Sequence, residues 1–520
     1  METELTALDP HAVESSEQST RAHPLDLEFD ASSLRRFPVE LLKSLFELCV
    51  AHDKEGHVLS EDAMVRVLSR TCRRWRMITH STPSLWQIMQ INTMQDYRFK
   101  PRAAILYPIY EYFERSSPLP ITCHLTLKAG VVCDEQYIRH IISMLSPRLR
   151  HLNVECGPAV CLVYSLMQLQ CDLPALQSLR VSACDFDLGY SDDEDPEYAN
   201  MTPLVGVFST SPHLTDVSMK VGRFQYPQFV LPWSQLKELD MRIRNVQELQ
   251  FLSDLENMES LSLTLTWYAG CERDWRALAI GGQVEVPRLR YLRIQGIYEN
   301  ITQVLDILQP CVLLDVDISQ IRGSRHDGVS DIEADELLGS IAALHRRSSC
   351  SLRRLTLPVP VFSSPRAMFI AEDLAAVEEL CLWLPFSRCN DKLCVDVLSN
   401  LASTSAFQNV KTLHLDIQQG CVKAFEPFAL LSAFLGIAEA RTGTLEHLSF
   451  KLLNHWMGMV VESEYVQRMR KLEQEAGVAL LGYFERGVWQ SSYNYLRWGT
   501  ENTTRERHLE RFQLENDTWH

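Results

Sequence analysis

The chain has 520 residues, 46% hydrophobic and 22% charged, enough apolar content to bury a sizeable core, so disorder throughout is excluded. Fifty basic and 67 acidic side chains leave a formal charge of −17, which gives no general attraction for phosphate backbones or anionic lipid. No nucleic-acid or membrane partner is expected. The longest apolar candidate, Phe428 to Ala438, is bounded by Glu426 and Glu439 and falls short of the roughly 18 residues a membrane span needs. The start, METELTALDP, is acidic where an export signal is basic and then apolar. Fifteen scattered cysteines then read as reduced thiols, and the expected location is cytoplasmic or nuclear.

Residues 1–32 are polar and unpatterned and are expected to form a disordered tail. Residues 33–91 read as a small helical module. Pro38 suits the first position of a helix, where its missing N–H is no loss. Leu41, Leu42, Leu45, Phe46 and Cys49 recur at helical spacing and predict one apolar face. After a polar loop over 51–60, Ser60 reads as a cap followed by two acids. Val65, Leu68, Cys72 and Trp75 then predict a single second helix. Arg66, Arg70, Arg73 and Arg74 share a broad face of it and are expected to be solvated. Ser81-Thr82-Pro83-Ser84 ends the unit, and Ile88 to Ile91 is strand-like. Residues 92–118 are expected to be a linker with a first helix.

From residue 119 to 454 an apolar-x-x-apolar-x-apolar unit recurs. Eleven copies begin at Leu149, Leu176, Leu214, Leu236, Met258, Leu289, Leu313, Leu352, Val377, Val410 and Leu445, with Ile121 to Leu127 a degenerate twelfth. Each predicts a short strand whose first, fourth and sixth residues face a core while the third, fifth and seventh face outward. Among the outward residues only Tyr291, Pro358, Cys381 and Trp383 are large or apolar. A proline two residues before the unit at Pro147, Pro174, Pro212 and Pro287 stops the preceding segment. One unit cannot bury its own apolar side, so neighbours must stack as parallel strands. Helices are predicted at Gln136 to Leu145, Ile301 to Leu308 and Asp331 to His345. In the last segment, 455–520, a charged helix over Glu462 to Glu475 and an apolar one over Ala476 to Phe484 are expected to cap the array.

The first module carries Phe37-Pro38-Val39-Glu40-Leu41-Leu42, then Leu45-Phe46, then Cys72-Arg73-Arg74-Trp75 and Ser81-Thr82-Pro83-Ser84-Leu85-Trp86. This resembles the F-box, whose opening is Leu-Pro-x-Glu-Leu-Leu with Ile-Phe after two more residues. Taken together, module and repeats look most like the F-box proteins with leucine-rich repeats of mushroom-forming fungi. Phe37, Leu45 and the polar loop depart from the family pattern. The resemblance implies an α/β chain with an all-α F-box followed by a leucine-rich-repeat solenoid. It also implies a role as substrate-recognition adaptor of a Skp–cullin–F-box ubiquitin ligase. Pro38, Leu41, Leu42, Leu45, Phe46 and Trp75 would contact the Skp subunit, and the repeats would hold a protein substrate.

On the outward face of stacked strands, Arg180, Lys220, Arg242, Arg293, Arg354 and Lys451 would stand among Glu155, Asp216, Glu238, Asp240, Asp315, Asp317, Glu379 and Asp416. That mixture suits a specific protein partner. Arg242, Tyr291, Arg293 and Trp383 are its candidate substrate contacts. No cofactor, metal or catalytic residue is expected. Cys156/Cys161 and Cys389/Cys394 lack a completing pair, the acidic run Asp192 to Glu197 lacks calcium-loop spacing, and no phosphate-binding, zinc-protease or nucleophile-elbow motif occurs. Ser191 before three acids is a possible phosphorylation site, and Cys184 stands where the family places a buried Asn or Cys.

Overall fold

The computed structural model describes residues 37–53, 58, 60, 62–92, 102–127, 135–156, 165–183, 205–221, 229–243, 246–265, 283–322, 331–348, 352–384, 391–417, 427–453 and 463–485. The expected tail, the acidic run with Ser191, and Cys161, Cys184 and Cys389 lie outside them. The chain divides into two units, Met1–Thr126 and Leu127–His520.

In the first unit Pro38 caps helix α1 (Val39–Ala51) with extended backbone, and no side chain supplements the cap. The sequence predicts one second helix; the structure has two, α2 (Met64–Thr71) and α3 (Arg73–His80), broken at Cys72, whose backbone is extended. The break is capped locally, because the Cys72 sulfur accepts from the Trp75 amide at 3.5 Å. Ser60 does not cap α2. Ala63 precedes the helix, and the Asp53 carboxylate reaches across the loop to accept from the Met64 amide at 2.7 Å, satisfying an orphan donor. After a 3₁₀ turn at Pro83–Trp86 the chain enters β1 (Ile88–Asn92), then α4 (Arg102–Arg115) and β2 (Ile121–Leu127), which pairs in parallel with β1. Trp86 anchors this end. Its indole N–H donates to the Thr79 carbonyl at 2.9 Å, the Tyr112 ring meets it edge-on at 4.9 Å, and the Arg115 guanidinium lies 4.6 Å from its ring centre.

The second unit begins with α5 (Glu135–Leu145) and β3 (Leu149–Cys156), then β4 (Ser178–Ala183), β5 (Asp216–Val221), β6 (Glu238–Ile243) and β7 (Ser260–Leu265). There follow β8 (Val284–Val286), β9 (Tyr291–Ile297), α6 (Tyr298–Ile307), β10 (Leu308–Pro310), β11 (Asp315–Arg322), α7 (Asp331–Arg347) and β12 (Arg354–Pro358). The last elements are α8 (Pro365–Ala371), β13 (Glu379–Leu384), α9 (Asp391–Ser403), β14 (Thr412–Ile417), α10 (Pro427–Ala440), β15 (His447–Leu453), α11 (Ser463–Ala476) and β16 (Ala479–Glu485). The fold is mixed α/β with one large parallel sheet. Its strands pair in chain order from β3 onward, while β8 and β10 leave it to pair with each other. All eleven recurring units form strands of that sheet.

The alternation has a direct cause. Each described first, fourth and sixth residue of the eleven units is buried, since the pleat sends alternate side chains to opposite faces. The second residue of each unit links neighbours through the backbone: Thr215 donates to the Gln177 carbonyl, Lys237 to Thr215, Glu259 to Lys237, and so on to Glu446, which donates to Lys411. Side-chain amides add rungs from the residue just before a unit begins. Asn257 donates to the Ser234 carbonyl at 2.6 Å and Asn409 to that of Ala375 at 2.8 Å. The segment predicted as an apolar helix, Ala476 to Phe484, is instead mostly β16, paired in parallel with β15. Its apolar run fits a strand as well as a helix, and the unpaired edge of β15 decides the matter.

Candidate functional site

Two surfaces hold the residues that the sequence nominates. The first is helix α1. Its broad apolar stripe splits in two. Leu42 and Phe46, four residues apart, are 0% exposed, and the Phe46 ring packs 4.8 Å from that of Trp75. They belong to the module's own core, so the expectation that they touch a partner is corrected. Leu41, Leu45 and Leu48, at i, i+4 and i+7, form a second row facing water, 52%, 42% and 58% exposed. Pro38 is exposed beside them and Trp75 is half-buried. Leu48 was not nominated by the sequence, nor were exposed Phe37, Val39, Val67 and Met77. The i+7 step from Leu41 was the available signal for Leu48. The N-terminal end of the row is fixed by Arg74, whose guanidinium donates to the Phe37 carbonyl at 2.6 Å. Arg66 departs from the solvated face expected of it: it is half-buried and lies 3.5 Å from Glu111, which also pairs with Arg115 at 2.9 Å.

The second surface is the outward face of the parallel sheet. Its charges pair across neighbouring strands. Asp216 of β5 accepts from Ser178 at 2.8 Å and faces Arg180 at 3.9 Å. Asp240 of β6 takes Lys220 at 2.8 Å, and Asp317 of β11 takes Arg293 at 3.4 Å together with the Tyr291 hydroxyl at 3.4 Å. Tyr291 and Arg293 therefore stand together, half-exposed and tied to one carboxylate, while Arg242 lies farther along the same face on β6. Trp383 does not join them. It is 4% exposed, and its indole N–H donates to the Ile318 carbonyl at 3.0 Å, so it is a structural side chain and not a surface contact.

A further group of linked charges lies over β11 to β14. Arg354 lies 3.8 Å from Asp315 and 3.2 Å from Glu379, and Glu379 lies 3.2 Å from the His414 ring. Burial pushes the Asp315 carboxyl up to about 7, against the pull of Arg354 and with the help of Asp317 and Glu379. The hydrogen bond from His414, more than the charge of Arg354, holds Glu379 below the usual carboxylate range. Burial pushes the Cys381 thiol up to about 12. The donor atoms of Glu379, Cys381 and His414 lie within 4.8 Å of one another. Sequence spacing hid this trio, because it is assembled by register: Cys381 pairs with His414 across β13 and β14, 33 residues apart.

Among the described residues no helix is long and apolar enough to cross a membrane. A cavity of only about 10 Å³ lies behind β13 and β14, walled by Leu380, Phe407 and Leu413, room for a water at most. No protein-family model matches the chain, and no curated protein matches it either.

Proposed function

We propose that this chain is a substrate-recognition adaptor of a Skp–cullin–F-box type ubiquitin ligase. In this reading residues 33–91 are an F-box that docks on the Skp subunit, and the strand array is a degenerate leucine-rich-repeat solenoid whose outward face holds a protein substrate. The observation that carries it is the water-facing row Leu41, Leu45 and Leu48 on a helix whose other side is already packed. Three leucines at i, i+4 and i+7 offer a contiguous apolar strip of the kind that helix-in-groove recognition uses. Pro38 lies at the head of the strip. Leu42, Phe46 and Trp75 act one layer down, holding the helix that presents it.

The sheet face supports the second half of the reading by its chemistry. Tyr291 and Arg293 are an aromatic and a guanidinium held by a shared carboxylate, a pre-ordered pair of the residue types that anchor protein interfaces. The mechanism is proximity: one chain holding both a substrate and the ligase raises the effective concentration of substrate lysines at the transfer centre.

The test is affinity capture of the full chain from cells, reading Skp and cullin together. Leu41→Asp plus Leu45→Asp should remove both proteins, at least about a hundredfold, because two carboxylates would be forced into an apolar interface. Skp retained without any cullin would favour a scaffold that takes no part in ubiquitin transfer. A wild-type chain that captures no Skp would overturn the proposal.

A further inference from the structure

Cys381 is out of place by the logic of its strand. It occupies an outward position where most units carry a polar or charged residue, yet it is half-buried and surrounded by ionisable groups. Glu379 precedes it by two residues on the same face of β13, and His414 is its direct cross-strand neighbour on β14. The Glu379 carboxylate and the His414 Nε2 are 3.2 Å apart. The other ring nitrogen, Nδ1, is engaged by the Ser449 hydroxyl on β15, which fixes the imidazole plane. That leaves Nε2 turned toward Glu379 and Cys381, all three donor atoms lying within 4.8 Å of one another.

We propose that Glu379, Cys381 and His414 form a binding site for a divalent transition-metal ion of the zinc class. A tetrahedral ion with bonds of about 2.0–2.3 Å to O, N and S spaces its donors about 3.4 Å apart. The carboxylate and imidazole already stand at that separation, and the sulfur, within 4.8 Å of both, has to turn toward them from the Thr356 and Arg354 side chains that it contacts. One hard, one intermediate and one soft donor select zinc-like ions over calcium or magnesium, which take oxygen ligands. Three protein donors leave a fourth position for water or for a side chain of a bound protein. This inference stands apart from the adaptor reading, since it uses none of the residues of α1.

The charge balance supplies a second argument. Without an ion, Arg354 supplies the positive charge, 3.2 Å from Glu379. A divalent ion would take over Glu379, the Cys381 thiolate and the His414 Nε2 lone pair. The thiol proton passes to solvent, and the Nε2 proton shared with Glu379 leaves as Nδ1 takes one up and donates to the Ser449 hydroxyl oxygen. Arg354 has an alternative partner in place: Asp315, 3.8 Å away, whose Oδ1 is buried and accepts no hydrogen bond. The guanidinium can therefore move toward Asp315 as the ion enters.

Titration of the purified, metal-stripped full chain with Co²⁺ tests the site. One equivalent should enter with a near-ultraviolet thiolate-to-cobalt absorption, and Zn²⁺ should bleach it. The chain holds 15 cysteines, so variants make the assignment. Cys381→Ser should abolish the absorption, Glu379→Gln and His414→Ala should each weaken binding at least about tenfold, and Arg354→Met, which removes the competing cation, should tighten it. A wild-type chain without the absorption, or a Cys381→Ser chain that keeps it, overturns the proposal. Should Cys381→Ser fail to fold, Arg354→Met decides, since it leaves all three ligands in place: unchanged affinity there overturns the site and tighter binding supports it.

Discussion

Helix α1 of the first unit keeps Leu42 and Phe46 inside and leaves Leu41, Leu45 and Leu48 in water. In the strand unit every described residue at a first, fourth or sixth position is buried, and the opposite face carries polar groups that pair with their neighbours. The same side chain, leucine, thus has two different duties. In the strands it is consumed by the fold. On α1 three of the four leucines are left exposed, and the proposed docking on another chain would use that surface.

Substitutions on the two sides of α1 are the sharpest way to break that contrast. Phe46→Ala should cost about 3–5 kcal/mol, as a fully buried ring leaves a cavity against Trp75. Hydrogen exchange of the amides in residues 39–80 would read it. Leu41→Asp plus Leu45→Asp should leave the same amides nearly as protected as in the wild type, because surface changes cost within about 0.5 kcal/mol. Equal losses of protection in the two variants would erase the distinction between the core row and the exposed row.

A smaller effect probes how the strand unit holds its returns. Arg441, half-buried, donates to the carbonyls of Leu401 and Ala406, at 3.0 and 2.6 Å, and to that of Phe407. It satisfies the end of α9 and the bend at Phe407, whose φ is 56°. Arg441→Met should therefore destabilise this unit by about 2 kcal/mol, since buried carbonyls lose their donor. The shift would appear in the urea midpoint.

The smallest effect concerns the outward face. Asp315 holds its proton up to about pH 7 when folded, against an ordinary value of 3.8. A raised carboxyl binds more protons folded than unfolded between those values, so its contribution favours folding at low pH and fades as pH rises toward 7. Asp315→Asn should remove that slope: unfolding midpoints at about pH 5 and pH 8 should draw closer together than in the wild type. An unchanged difference would mean that Asp315 is ionised throughout.

Much of this was legible in the residues. The strand units were readable because a strand has only two faces, so an apolar-x-apolar alternation names the buried side without knowledge of the neighbours. The three helices predicted in that region form within a few residues of their expected ends. The run over Ala476 to Phe484 was misread for want of periodicity. Trp383 sat in an outward register, yet its indole found a carbonyl 65 residues away, a partner that no local pattern announces. Glu379, Cys381 and His414 were likewise invisible as a group, because their approach depends on which strands pair and in what register.

Sequence alone determined the period-two code of the strands and the apolar content of the first helices. Only the tertiary structure decided which part of a wide helical stripe goes inside, because at 3.6 residues per turn a stripe spans more surface than one neighbour covers, and the packing partner selects the share it buries. For the same reason it alone assembled the charged cluster on the outward face: side chains far apart in the chain meet only where hydrogen-bonded strands fix their register.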